Sequence, residues 1–379
     1  MDVSDDVLGL VLERVGSHVS LVRAAAVCRR WRRAIADAAF LRRFRSLHAP
    51  AVAGDYHNRS PWAHFLVGPD ARTSKGPVFL PSSPSMVDAR RFSLDFLPGG
   101  VVWSWTILDS RGSLLLLMGR GLAFSGMVVC EPLTRRCNVI SPPAGFNGGV
   151  LLCSFLVDGY ANVAGGRIGM SNFRVLFMFM RDGVTRAAMF TVGSSWREKN
   201  IGHIAPSNRW PDFLGRAGGS RYFYIGGRSV IELDGSTGDS TSSVLPAIED
   251  WDLHIPTSSC FLTEGRDGKP HIFSVINNTM KVFARPGSGE WALENSVLLS
   301  EATRGLPGYH PSFFSYDQDQ EILTRGPGFV TLLPQFGEPW PYSIDLETME
   351  AQVTTGDMGR IVYPYELPWP PALHACLDS

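Results

Sequence analysis

The residues whose types could support chemistry are scattered rather than gathered. The nine histidines include no pair at HExxH spacing and none set against cysteine at the spacing of a zinc site. His203, His254, His271 and His310 fall near expected loops or strand starts and read as structural. The chain has no GxxxxGK[ST], GxGxxG or GxSxG run and no EF-hand loop. Asp317-Gln318-Asp319-Gln320-Glu321 is an acidic run of a kind that can hold a cation, and a solvated turn explains it as well. Trp103-Ser104-Trp105 has the make-up of a ligand platform, but in a strand-rich chain tryptophans usually pack a core. What remains is recognition. Trp210-Pro211-Asp212-Phe213, Tyr309-His310-Pro311-Ser312-Phe313 and Phe336-Gly337-Glu338-Pro339-Trp340-Pro341-Tyr342 join turn residues to the aromatic types that dominate interfaces. Trp210, Phe213, Tyr309, His310, Trp340 and Tyr342 are therefore candidate protein-contacting residues, and no catalytic group, cofactor or metal is expected.

The elements that would present such loops follow from the bulk properties. At roughly 100–200 residues per domain, 379 residues suggest about two domains. Hydrophobic residues make up 44% and charged residues 19%, a globular composition, and the 39 glycines and 26 prolines favour many turns. The net charge of −1 supplies no global field toward nucleic acid or an anionic membrane. The cations are mostly arginine, with lysine only at Lys75, Lys199, Lys269 and Lys281. None of Cys28, Cys130, Cys137, Cys153, Cys260 and Cys376 forms a CxxC pair, which predicts free thiols in a reducing compartment. The acidic N-terminus does not read as a signal peptide, and no apolar run approaches the ~18 residues of a membrane span. A cytoplasmic or nuclear protein is expected.

Helical spacing is confined to residues 4 to about 47. Ser4 is placed to cap a first helix, with Asp5 and Asp6 in its first turn, where the helix dipole favours anions. Val7, Leu8, Val11, Leu12 and Val15 recur at helical spacing, and Gly16 is the expected stop. Ser20 is the expected cap of a second helix whose one face carries Leu21, Ala24, Cys28, Trp31 and Ile35. A third carries Phe40, Leu41, Phe44 and Leu47. The stripes Leu8/Leu12 and Val7/Val11/Val15 cannot both face one tiny core, so surplus apolar surface is left for a partner. Arg29, Arg30, Arg32 and Arg33 around Trp31 read as a solvated helix face rather than a nucleic-acid patch.

The runs Asp5-Asp6-Val7-Leu8, Leu12-Glu13-Arg14-Val15, Ala26-Val27-Cys28-Arg29-Arg30-Trp31-Arg32 and Asp37-Ala38-Ala39-Phe40-Leu41 resemble an F-box. The resemblance implies docking onto a Skp-type adaptor, and through it to a cullin scaffold and a RING subunit. The matching positions for adaptor contact are Val7, Leu8, Leu12, Val15, Leu21, Val22, Val27, Cys28 and Trp31. The family usually opens with Leu-Pro before its acidic pair, where this chain has Val3-Ser4. That loss of packing area should cost about 1–2 kcal/mol at a well-packed anchor.

Beyond residue 60, short apolar runs alternate with Gly, Pro, Asn and Asp turns. Expected strands are 76–80, 113–118, 127–131, 137–140, 175–180, 187–192, 222–225, 230–233, 271–275, 280–284, 328–333, 343–346 and 351–354. A turn motif recurs with an acidic residue three before a threonine: Glu131/Thr134, Asp234/Thr237 and Asp345/Thr348. Successive copies lie about 100–110 residues apart, two units of the roughly 50-residue period of a propeller blade. Radial blades also solve the edge problem of so many short strands. The fold class expected is α+β: a three-helix module over 1–48, a linker over 49–60, and over 61–375 an all-β domain. That domain is expected to be a six- to seven-bladed β-propeller, with a β-sandwich as the alternative. The proline-rich tail from Tyr363 to Pro371 is placed to close the ring.

Val129-Cys130-Glu131-Pro132-Leu133-Thr134-Arg135-Arg136, Trp291-Ala292-Leu293-Glu294 and the stretch from Leu298 to Tyr309 resemble the F-box-associated domains of plant F-box proteins. In that family the domain recruits a protein substrate for ubiquitination. The implied function is a non-catalytic receptor subunit of a ubiquitin ligase. Two other readings stand beside it: a propeller enzyme or ligand-binding protein with an incidental helical arm, and an interaction module that has lost its adaptor.

Overall fold

The computed structural model describes residues 4–16, 18–48, 51–58, 76–82, 88–98, 104–120, 126–146, 149–157, 168–182, 184–199, 212–225, 228–235, 237–246, 260–276, 278–285, 289–314, 320–326, 328–334, 340–354 and 362–368. The N-terminal segment holds four helices rather than three: α1 (Asp5–Glu13), α2 (His18–Val27), α3 (Arg29–Ala36) and α4 (Ala38–Leu47). The expected second helix is broken at Cys28, whose backbone is extended (φ −158°, ψ 165°) and whose Sγ accepts from the Trp31 N–H at 3.5 Å. Continuous apolar spacing hid the break, because α2 and α3 cover the same small core from either side of one residue. Two boundaries also move. α1 ends at Glu13 instead of running to Gly16, and α2 begins before Ser20. Ser4 and Asp37 cap α1 and α4.

The remainder is a succession of antiparallel meanders. The first blade is β3 (Ser104–Arg111), β4 (Leu114–Arg120), β5 (Met127–Glu131) and β6 (Arg136–Ile140). The second is β7 (Val150–Val157), β8 (Arg174–Arg181), β9 (Val184–Thr191) and β10 (Arg197–Lys199). The third is β11 (Asp212–Ala217), β12 (Ser220–Tyr224), β13 (Ser229–Asp234) and β14 (Ser240–Val244). The fourth is β15 (Cys260–Glu264), β16 (Pro270–Ile276), β17 (Thr279–Ala284) and β18 (Ala292–Leu298). The fifth is β19 (Gln320–Gly326), β20 (Phe329–Pro334), β21 (Tyr342–Asp345) and β22 (Ala351–Val353). A short helix, α5 (Leu299–Ala302), follows β18.

The sixth sheet is closed by the two ends of the domain. Its order is β2 (Val78–Pro81), β1 (Val52–His57), β23 (Val362–Glu366), with β23 antiparallel to β1. The tail expected to close the ring does so as far as Glu366. The segment expected to be a linker over 49–60 is in part a strand: Val52–His57 joins this sheet, so the β domain starts there and not at residue 61. Among the described residues the meanders therefore make six units. Inner strands of neighbouring units lie side by side: β23 beside β3, β3 beside β7, β11 beside β15 and β15 beside β19. The third and fourth units touch through one parallel pairing, Gly215 opposite Leu262. This is the radial arrangement of a propeller rather than a sandwich.

The first four blades bury both faces. In β4, Leu115 and Leu117 pack with Tyr56 and Tyr365 of the sixth unit, while Leu114 and Leu116 pack with Phe173 and Phe177 of the second. Alternate side chains of one strand thus fill two different inter-blade cores, which is why the run Leu114–Leu117 is apolar throughout. The same layering recurs between the second and third, third and fourth, and fourth and fifth units.

Candidate functional site

The helical module closes a small core of its own. Leu8 and Leu12 of α1, Leu21 and Ala25 of α2, Ile35 of α3, and Phe40 and Phe44 of α4 form one buried cluster. This corrects the sequence expectation for Leu8, Leu12 and Leu21: they are interior and hold the helices together rather than face a partner. Of the two competing stripes on α1, the core took Leu8/Leu12. Val7 and Val11 therefore point outward at 48% and 56% exposure, and Leu10, three residues from Val7, joins them at 61%. Val27 (67%) at the end of α2 and Leu47 (62%) at the end of α4 are also uncovered. Val15, Val22 and Trp31 are half-buried, and Cys28 is exposed. Leu10 and Leu47 were absent from the expected contact set. Leu10 lies in neither stripe, and its exposure became visible only once the phase of α1 was fixed.

Polar latches hold the helices in register around that core. Arg30 Nε donates to Asp5 Oδ1 at 2.8 Å, Arg43 Nε to Glu13 Oε1 at 2.5 Å, and Arg32 Nε to the Ala25 carbonyl at 3.2 Å. Arg30 and Arg32 thus have intramodular partners, in keeping with a structural rather than a nucleic-acid role. The Arg30–Asp5 pair is solvent-exposed and worth at most about 1 kcal/mol.

The candidate target-contacting residues of the β domain divide. Phe213 on β11 is exposed at 43%, its ring 5.4 Å from Phe223. His310 is exposed, with Nδ1 2.6 Å from Ser312 Oγ, and Tyr309 is half-buried. Trp340 and Tyr342 are not surface residues. Both belong to the core between the fourth and fifth blades, where the loop carrying Tyr309 and Phe313 folds back over them. Their polar atoms are satisfied internally: Trp340 Nε1 donates to the Pro307 carbonyl at 2.9 Å and the Tyr342 hydroxyl to Gln320 Oε1 at 3.0 Å. Trp210 and residues 317–319 of the acidic run lie outside the described residues, as does Trp103; Trp105 is in the core. A cavity of about 300 Å³ opens beside β10, lined among others by Pro143, Phe179, Trp196, Glu198 and Lys199. Among the described residues no group of three or more His, Cys, Asp or Glu is placed to hold a metal ion.

The recurring turns sit where their spacing put them, between β5 and β6, β13 and β14, and β21 and β22, with one blade between each. Thr134 Oγ1 donates to Glu131 Oε2 at 2.6 Å. Asp234 Oδ1 accepts from the Thr237 N–H at 2.8 Å and Asp345 Oδ1 from the Thr348 N–H at 2.9 Å. In each turn the residue four after the acid is left-handed: Arg135 (φ 53°), Gly238 (φ 72°) and Met349 (φ 58°). Two of the turns also reach the preceding blade, Lys199 Nζ meeting Asp239 Oδ1 at 2.7 Å and Arg266 meeting Asp345.

With the module's core and exposed face described, comparison with known families is decisive for this segment. Residues 5–47 match the family model described as F-box-like. They form an F-box-like domain. No curated protein matches the chain. Among solved structures, the chain is similar to the β-propeller domain of Cps50 (Swd1) from Myceliophteria thermophila: 10% identity, 75% of this chain and 80% of that chain covered, TM-score 0.42. It is also similar to a protein from Lactobacillus plantarum (9%, 80% and 82%, TM-score 0.41) and to virginiamycin B lyase from Staphylococcus aureus (12%, 71% and 75%, TM-score 0.34). The F-box-like helices precede a large all-β domain.

Proposed function

We propose that this chain is the substrate-receptor subunit of a cullin–RING ubiquitin ligase of the SCF type. The F-box-like helices dock a Skp-type adaptor, and the β domain, of the F-box-associated kind, holds a target protein. The observation that carries the reading is the uncovered apolar face of a module whose core is already closed. Val7, Leu10 and Val11 on one side of α1, with Val27 on α2, serve no internal packing, and such surface is characteristic of a protein interface. The receptor contributes proximity and orientation, bringing the target near a ubiquitin-charged enzyme, and performs no bond chemistry of its own. The free thiols at Cys28, Cys130, Cys137, Cys153 and Cys260 accord with work in the cytosol or nucleus.

The test is capture of purified Skp-type adaptor by the full chain. Val11→Asp and Leu10→Asp should abolish capture with the helical circular dichroism unchanged. Undiminished capture would remove this face from the interface, and no capture by the unaltered chain would leave an interaction module without an adaptor. Deleting residues 5–47 should trap the undegraded target on the β domain.

A further inference from the structure

The inner strands of the β domain carry a charge cluster that the receptor reading does not use. Asp109 on β3 is fully buried, and its Oδ2 accepts from Arg221 Nη2 at 2.5 Å and from the Leu156 N–H at 2.7 Å. Its Oδ1 meets Arg216 Nη2, and Arg216 Nη1 donates to the Ser110 carbonyl at 3.3 Å. Arg221 on β12 is 2% exposed and also donates to the Leu156 carbonyl at 2.9 Å. Arg216 reaches from the third blade across to β3 of the first, with β7 of the second contributing Leu156. The cluster therefore lies where the inner strands face one another, on the axis of the ring.

The charges do not balance. Two guanidinium groups, those of Arg216 and Arg221, share the one Asp109 carboxylate. Nε and Nη1 of Arg221 are buried with no acceptor. Its Cζ lies 4.2 Å from the centre of the Phe155 ring, which relieves part of the charge but offers no lone pair to those donors. An ordered water can satisfy a donor but leaves the excess charge in place; an anion removes both deficits. Arg216, with a side chain 40% exposed, is the open side of the cluster, and its planar fork suits an oxyanion.

We infer that an oxyanion, a phosphate or carboxylate group, binds on the axis of the β domain against Arg216 and the Arg221 behind it. The inference does not depend on adaptor docking. The group is supplied either as a free ion or on a side chain of a docked protein, and the two sources share this chemistry.

The experiment is thermal unfolding of the full chain in inorganic phosphate against chloride at matched ionic strength, followed by calorimetric titration. Phosphate should raise the midpoint saturably beyond chloride, as any ligand of the native state does. Arg216→Gln should lose that rise while still unfolding cooperatively in chloride. Should Arg216→Gln fail to fold, Arg216→Lys replaces it: it keeps the charge but not the fork, and must weaken binding several-fold. A midpoint no higher than in chloride, or a rise that survives these substitutions, overturns the site. A short blocked phosphoserine peptide, with its serine twin as control, separates the sources. Tighter binding than free phosphate assigns the group to a docked chain, and weaker binding assigns it to the free ion; either supports the site.

Discussion

Asp109 and Arg221 stand 112 positions apart in sequence and 2.5 Å apart in space, and the carboxylate that joins them is wholly buried. The bond ties the first blade to the third across the inner strands. Breaking it from one side should be expensive. Asp109→Ala leaves a buried guanidinium without its counter-charge and should cost about 3–5 kcal/mol in urea denaturation. The double replacement Asp109→Leu with Arg221→Met should recover much of that loss, since it removes the buried pair together and leaves only Arg216, whose side chain is 40% exposed, to be solvated. A double variant no better than Asp109→Ala would refute the pairing as the source of the cost.

The helical module separates packing from docking. Leu12→Ala removes a side chain 1% exposed and should cost about 2–5 kcal/mol, read as loss of the module's helical signal. Val11→Ala, one residue away and outward-facing, should change stability by less than about 0.5 kcal/mol. Equal effects at the two positions would mean that the phase of α1 is wrong.

Gly215 sits at the bulge of β11 where two inner strands meet. A Cβ there would stand 2.0 Å from the Leu262 carbonyl oxygen, and φ is +155°. Backbone cannot yield as a side chain can, so Gly215→Ala should cost about 1–3 kcal/mol or more by forcing the third and fourth blades apart. Limited proteolysis between those blades, accelerated in the variant, is the check.

Acid should loosen the fifth blade through Asp345. Burial pushes its carboxyl up, but the N–H groups of Thr348 and Glu347 and the Arg266 guanidinium outweigh that and hold it below the ordinary aspartate value. A depressed carboxylate contributes stability that is complete above the unfolded value, about 4, and lost as pH falls through the lower native one. Carboxyl NMR titration should place Asp345 below the exposed aspartates. Asp345→Asn should flatten the acid limb of the stability curve.

Ring closure rests on Tyr365. It is fully buried against Tyr56, Phe79 and Phe92, and its hydroxyl accepts from the Leu133 N–H at 3.4 Å. Tyr365→Ala should cost about 3–5 kcal/mol and convert a single unfolding transition into a broader one. A sharp transition of unchanged midpoint would show that β23 is dispensable.

The strands legible in the sequence were chiefly the middle ones of each blade, and the reason lies in their surroundings. β4, β8, β12 and β16 face a neighbouring blade on both sides, so runs such as Val175–Phe179 are apolar at every position. The inner strands β3, β7, β11, β15 and β19 were all missed. Four of them carry a bulge opposite their partner, near Leu108, Leu152, Leu214 and Leu323, and one extra residue destroys alternation. The same inner strands supply Asp109 and Arg216. The cluster was therefore invisible: nothing in the spacing of residues 109, 216 and 221 announces that they meet. In the helices the apolar stripes were found, but which stripe faced inward was decided only by α2 and α4 packing on α1. Trp340 and Tyr342 were taken for surface because proline and glycine flank them, yet the loop 305–314 folds over the rings, with Gly308 (φ +82°) leaving no room for a side chain against Trp340.

Asn58 brackets the backbone of Ile107, accepting from its N–H and donating to its carbonyl at 2.8 Å each, and also donates to the Tyr363 hydroxyl 305 positions later. A growing polypeptide emerges N-terminus first, so the F-box-like segment is complete long before the strand that locks the circle exists. An interrupted translation product would carry folded F-box-like helices beside a β domain whose first and last strands, β1 and β23, could not pair.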